Sequence, residues 1–188
     1  MSRPPLTVLI DGLSIEDGAM APPRIGSVIE LVLDFVESAT QSPEVMTIQA
    51  VLDLHPTARQ DRGSPAGEDH LWTGDLHGDG WRATWRGDRR RSGPVTLTGR
   101  LTHWHSISYS PAKAVRGFVT RIQVVSSPYH APSGVRWEPQ QHGSRRYRDV
   151  EKTPPSFDRG GLFSVSPAAD IIRYREMGIL VDLDLEGL

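Results

Sequence analysis

Residues 95–109 read Val-Thr-Leu-Thr-Gly-Arg-Leu-Thr-His-Trp-His-Ser-Ile-Ser-Tyr. The odd positions are Val95, Leu97, Gly99, Leu101, His103, His105, Ile107 and Tyr109; the even ones are Thr, Ser, Arg100 and Trp104. A β-strand sends alternate side chains to opposite faces, so this period-two pattern predicts one long strand. One face is apolar and ends in two imidazoles; the other is polar and carries Arg100 and Trp104. Gly99 interrupts the strand and predicts a bulge or a sharp bend, of the kind small barrels use.

Outward from this strand, the same grammar recurs. Leu71 to Arg86 predicts a hairpin turning at Gly78-Asp79-Gly80, with Trp81, Ala83 and Trp85 on the core face of its second arm. Val45 to Leu54 places Met46, Ile48, Ala50, Leu52 and Leu54 on one face. Leu6 to Ile10 is a short strand closed by Asp11-Gly12. Ile25 to Val36 alternates and is rich in β-branched residues, which favours a strand over the helix suggested by a Ser27/Glu30 capping box. Val115 to Val125 is a strand with Phe118, Thr120, Ile122 and Val124 on one side. Ile179 to Leu185 is the last strand, with Asp182, Asp184 and Glu186 in a carboxylate row on its polar face. Ser166-Pro167 and Gly178 bracket a short helix over 168–177. Residues 56–69 form a polar loop, and 126–160 form a long irregular excursion poor in apolar residues.

Frequent short strands with turn signals predict a mainly β fold, an antiparallel small barrel or sandwich, OB-like or SH3-like, with at most one short helix near the C-terminus. A single mainly-β domain over 1–188 is expected; two small β modules split near 56–70 are the alternative. The 188 residues include 15 Pro, 18 Gly and no Cys, which excludes disulfide frameworks, thiol nucleophiles and thiolate metal sites. No apolar run approaches the roughly 20 residues of a membrane helix, so no membrane partner is expected. A cytoplasmic location is the default expectation.

Three blocks, taken in order, carry a resemblance. They are Val8-Leu9-Ile10-Asp11-Gly12 with Ile25-Gly26-Ser27-Val28; Val115 to Ile122 with Tyr129 and Pro132; and Gly178 to Leu185. Together they cover about a quarter of the chain, and they resemble a small actinobacterial family known only as a domain of unknown function. The resemblance implies a cytosolic, mainly β protein from a GC-rich bacterium. It supplies no catalytic residues.

Charge is strongly partitioned. Residues 1–79 hold 4 Arg against 13 Asp/Glu, residues 80–148 hold 13 Arg/Lys against 2, and residues 149–188 hold 4 against 8. Either acidic and basic segments lie side by side and neutralise each other, or the basic block meets an anionic partner.

Three functional readings follow. The first is a non-enzymatic, barrel-like interaction module that binds a protein partner or forms a homo-oligomer through sheet edges and the 126–160 excursion, with no cofactor. The second is a barrel that binds single-stranded nucleic acid through Arg82, Arg86, Arg89, Arg90, Arg91, Arg100, Arg116 and Arg121, with Trp104 as a stacking platform. The third is a metal-dependent enzyme. His103 and His105, at strand positions i and i+2, point the same way and start a zinc or iron site, with His77, Asp75 and Asp79 as further donors. Phosphate-binding loops, nucleophile elbows and dinucleotide fingerprints are absent from the sequence.

Overall fold

A computed structural model describes residues 3–55, 72–103, 114–130, 137–140, 144–158 and 172–185. Among these described residues eleven strands join one sheet network: β1 (Leu6–Asp11), β2 (Val28–Leu31), β3 (Asp34–Glu37), β4 (Met46–Leu54), β5 (Trp72–His77), β6 (Arg82–Gly87), β7 (Gly93–His103), β8 (Val115–His130), β9 (Glu138–Pro139), β10 (Arg146–Asp149) and β11 (Arg173–Asp184). The fold is mainly β, as the alternation predicts.

Five strands close into a barrel in the order β7-β3-β6-β5-β4 and back to β7. All steps are antiparallel except β3–β6, which is parallel. Two consecutive hairpin steps, β4–β5 and β5–β6, followed by one parallel closure, are the adjacency and directions of an OB-type barrel whose last strand, β3, here comes first in the chain. Residues 56–71 lie outside the described residues; β4 and β5, on either side of them, pair with each other.

The long strand β7 makes this possible. Along one edge, residues 93–99 pair with β4, and residues 101–103 then pair in parallel with β1. Along the other edge, residues 99–102 pair with β3. The sheet therefore forks at Gly99–Arg100. Gly99 lies opposite both Met46 and Glu37, and a Cβ there would run into the Val36 carbonyl and the Phe35 ring. Beyond the fork, β1, β11 and β8 extend the sheet.

Inside, one apolar cluster joins barrel and extension. It contains Phe35, Leu52, Leu76, Trp85 and Leu101 from the barrel, and Val8, Ile122, Val181 and Leu183 from the extension. Trp81 and Trp85 are core residues, as expected. The Trp85 indole N–H finds a partner in Glu37 Oε1 at 3.0 Å, which is what a buried indole requires.

Several elements differ from the sequence reading. Ile25 to Val36 is two strands, because the chain leaves β8 after Leu31 and joins the barrel at Asp34. Along β8, Val115, Gly117 and Val119 are buried, and then Ile122 and Val124. A register shift between Asp182 and Leu183 leaves Thr120 unmatched, so the buried face changes phase and Phe118 and Thr120 do not share it with Ile122. The helix expected over 168–177 is corrected where it is described: residues 173–177 belong to β11 and pair with β8. Gly178 is not a helix stop. It lies within β11 at φ +153°, packed so closely on the Ile10 carbonyl that no Cβ fits. The described helix, α1 (Gly12–Glu16), instead follows β1. Where it is described, the 126–160 excursion adds to the sheet: β8 runs on to His130, and β9 and β10 fold back onto its outer edge beside β2. Backbone hydrogen bonds from Gly26, Gln140 and Val150 to β8 carbonyls extend that cover.

Candidate functional site

Cross-sheet ion pairs settle much of the charge partition. Arg91 pairs with Glu37, Arg145 with Glu44, Arg121 with Asp149 and Arg148 with Glu176. Each joins the basic block to an acidic flank. The Arg121–Asp149 hydrogen bond, 2.8 Å, raises the arginine's pKa and lowers that of the carboxyl. Arg121 also lies opposite Asp182, which accepts a 2.7 Å hydrogen bond from Thr7 Oγ1. The carboxylate row thus faces partners within the sheet; Glu186 lies outside the described residues.

What remains unpaired is concentrated on β6 and the turn after it. Arg82, Arg86, Arg89 and Arg90 are exposed. None forms an ion pair among the described residues. The Arg90 guanidinium lies over the Trp72 ring, 5.5 Å from its centroid, at the rim of the barrel. Beside this stack is a concavity of about 380 Å³ whose walls include Leu54, His55, Trp72 and Arg90. Trp72 packs its inner side on the core and is half-buried. Thr73, Arg86, Val36 and Arg100 form one row across β5, β6, β3 and β7 on the outer surface. Arg116 and Arg121 stand on β8, separated from β7 by β11 and β1, and do not join this row.

Next to Arg86 lies Asp34. Its carboxyl is half-buried, and burial raises its pKa, an effect that Arg86 and His103 partly offset. His103 Nδ1 is 2.9 Å from the Val32 carbonyl oxygen. His77 pairs with Asp53 at 3.0 Å, Asp75 with His55 at 3.1 Å, and Asp79 with Arg3 at 3.5 Å. The structure therefore gives His103, His77, Asp75 and Asp79 separate partners. Among the described residues no group of three or more His, Cys, Asp or Glu is placed to hold a metal ion. His105 and Trp104 lie outside the described residues.

A second concavity, about 630 Å³, opens at the fork of the sheet. β10 is four strand steps from β7 through β1, β11 and β8, yet the extension curls so that β10 meets residues 40–44 just ahead of β4. Glu44 is buried there, 2 % exposed. It accepts a hydrogen bond from Arg145 Nη1 at 2.5 Å and another from the Tyr147 hydroxyl. Burial, then the hydrogen bond and charge of Glu44, push the tyrosine's pKa far up. Arg100 projects into the same pocket. Burial first, and then Arg145, lower its pKa against the pull of Glu44 and Tyr147. Its Nε is buried with no hydrogen-bond partner among the described residues.

Of these groups the sequence singled out Arg100 but not Glu44, Arg145, Tyr147 or Trp72. Glu44 and Arg145 are 101 residues apart and carry no local motif. Trp72, at the mouth of a predicted hairpin close to the arginine triplet, was the more accessible signal. No protein-family model, curated protein or solved structure matches this chain.

Proposed function

We infer that this protein is a nucleic-acid-binding β-barrel that takes single strands along the outer face and rim of β6. The observation that carries this reading is the Arg90–Trp72 stack near Arg86 and Arg89, with Arg82 at the far end of the same strand; these arginines are exposed and make no ion pair among the described residues. Arginine forks neutralise phosphates, and an aromatic ring at a rim offers a face on which a base stacks. The adjacent concavity is of a size to take a base. In OB barrels the two strands corresponding to β5 and β6 bind oligonucleotides, a fold-level analogy that supports the same face.

Association with a protein partner or a second copy through sheet edges has weaker support. Ring closure removes the barrel's edges, and β2, β9 and β10 are at most four residues long.

Fluorescence anisotropy with a labelled oligothymidylate, titrated at several salt concentrations, tests the proposal. Binding is expected to weaken with salt, and the combined Arg82→Ala, Arg86→Ala and Arg90→Ala substitutions are expected to flatten that dependence. Absence of binding at low salt, or the same affinity and slope in the triple variant, overturns it.

A further inference from the structure

We propose that the pocket at the fork of the sheet is a second, separate site, which binds a small organic oxyanion through the guanidinium of Arg100. Two guanidiniums and one buried carboxylate meet there. Glu44 is satisfied by Arg145 and Tyr147, and Arg100, which feels the Glu44 charge, forms no ion pair of its own among the described residues. A half-buried cation with an unpartnered Nε is costly to the free protein, and an anion seated against it removes that cost. The lowered pKa of Arg100, caused mainly by burial, is the same imbalance seen from the proton's side.

Local geometry explains why Arg100 stays there. It occupies the β7 position at which β4 departs and β1 arrives, with its outward neighbour Val36 on β3. The pocket exists because the strands diverge at that point. Its volume of about 630 Å³ lies within the range of small-molecule sites and far exceeds that of a bare ion. Ser127, Ser144 and Gln140 contribute neutral hydrogen-bonding groups to the wall, which suits a hydroxyl-bearing body. A guanidinium fork takes carboxylate and phosphate alike.

Isothermal titration calorimetry on the full chain, with gluconate, glycerol phosphate and inorganic phosphate as probes, tests this assignment. Binding of gluconate or glycerol phosphate is expected, and whichever binds tighter identifies the head group. Arg100→Gln is expected to weaken it at least about tenfold, and Arg100→Lys, which keeps the charge without the fork, by less. The unliganded Arg100→Gln protein is expected to melt no lower than wild type, because the substitution removes a half-buried cation that forms no ion pair among the described residues. No binding of any probe, inorganic phosphate binding as tightly as the organic anions, or equal binding by Arg100→Gln overturns the proposal. So does a clear loss of stability in Arg100→Gln, which would make the arginine part of the scaffold.

Discussion

Arg145 Nη1 lies 2.5 Å from Glu44 Oε1, and the carboxylate is almost wholly enclosed. This pair joins β10 to the start of β4 and holds the curled extension against the barrel. Its two halves are not equivalent when removed. Arg145→Ala leaves a buried carboxylate with only the Tyr147 hydroxyl, and loss of one partner from a buried pair costs about 3–5 kcal/mol. Chemical denaturation should show that loss. Adding Glu44→Gln should restore part of it, because the stranded charge is gone. If Arg145→Ala unfolds at the wild-type denaturant midpoint, the pair does not hold the extension in place.

Gly99 carries the fork. Both edges of β7 are occupied at this residue, and a Cβ would meet the Val36 carbonyl oxygen first, with the fully buried Phe35 ring and the Glu37 backbone close behind. Gly99→Ala is therefore expected to cost several kcal/mol, well beyond an ordinary strand substitution. Gly93→Ala, where φ is +79° but no atom lies within 4 Å of the added Cβ, isolates backbone strain alone and should cost less. Thermal melts of the two variants make the comparison; equal losses would show that crowding at the fork is unimportant.

Asp34 supplies a pH dependence with a definite sign. Its folded pKa is raised above 3.8, chiefly by burial, so the folded protein holds this proton to higher pH than the unfolded chain does. Any stability from the protonated carboxyl is complete below 3.8 and is lost as pH rises through the folded value. Ionised Asp34 thus burdens the folded state at neutral pH. Asp34→Asn should be more stable than wild type there, with the gain vanishing in acid. Urea midpoints measured across that range check this; a variant less stable at neutral pH would show that the ionised carboxylate is used by Arg86 or His103.

Much of this architecture was legible because strand period survives tertiary packing. β4, the β5–β6 hairpin and β7 follow directly from alternation, and Gly99 marked itself by interrupting it. Alternation does not reveal where a run changes partner. Val32 and Leu33 continue the pattern of their neighbours while the chain crosses from β8 to the barrel. The extra residue at Thr120 likewise reverses the buried face without any change in composition. Gly178 resembled helix punctuation, yet it is required by the close approach of β1. At the sites, the arginines were visible as residues but their pairing was not. Which guanidinium meets Glu44, Asp149 or Glu176, and which is left over, depends on how widely separated strands are brought together. Alternation draws the eye to Trp104 as a single-strand platform, whereas Trp72, at the start of the β5–β6 hairpin, carries no pattern that marks it out.

Trp72 and Arg90 provide the sharpest separation of stacking from charge. If a base stacks at the rim, Trp72→Ala should weaken oligonucleotide binding by about 1–3 kcal/mol and leave the salt slope unchanged. Arg90→Ala should weaken binding and also reduce the slope by about 0.7, the contribution of one phosphate contact on a single strand. Because Trp72 packs partly on the core, its substitution also loosens the barrel rim. Trp72→Phe keeps an aromatic face with less core disturbance and should retain most of the affinity. Anisotropy titrations of the three variants at two or more salt concentrations resolve affinity from slope. A Trp72→Ala protein that remains folded and binds as tightly as wild type would leave Arg90 as a phosphate contact alone. An Arg90→Ala protein with an unaltered slope would take the strand away from this rim altogether.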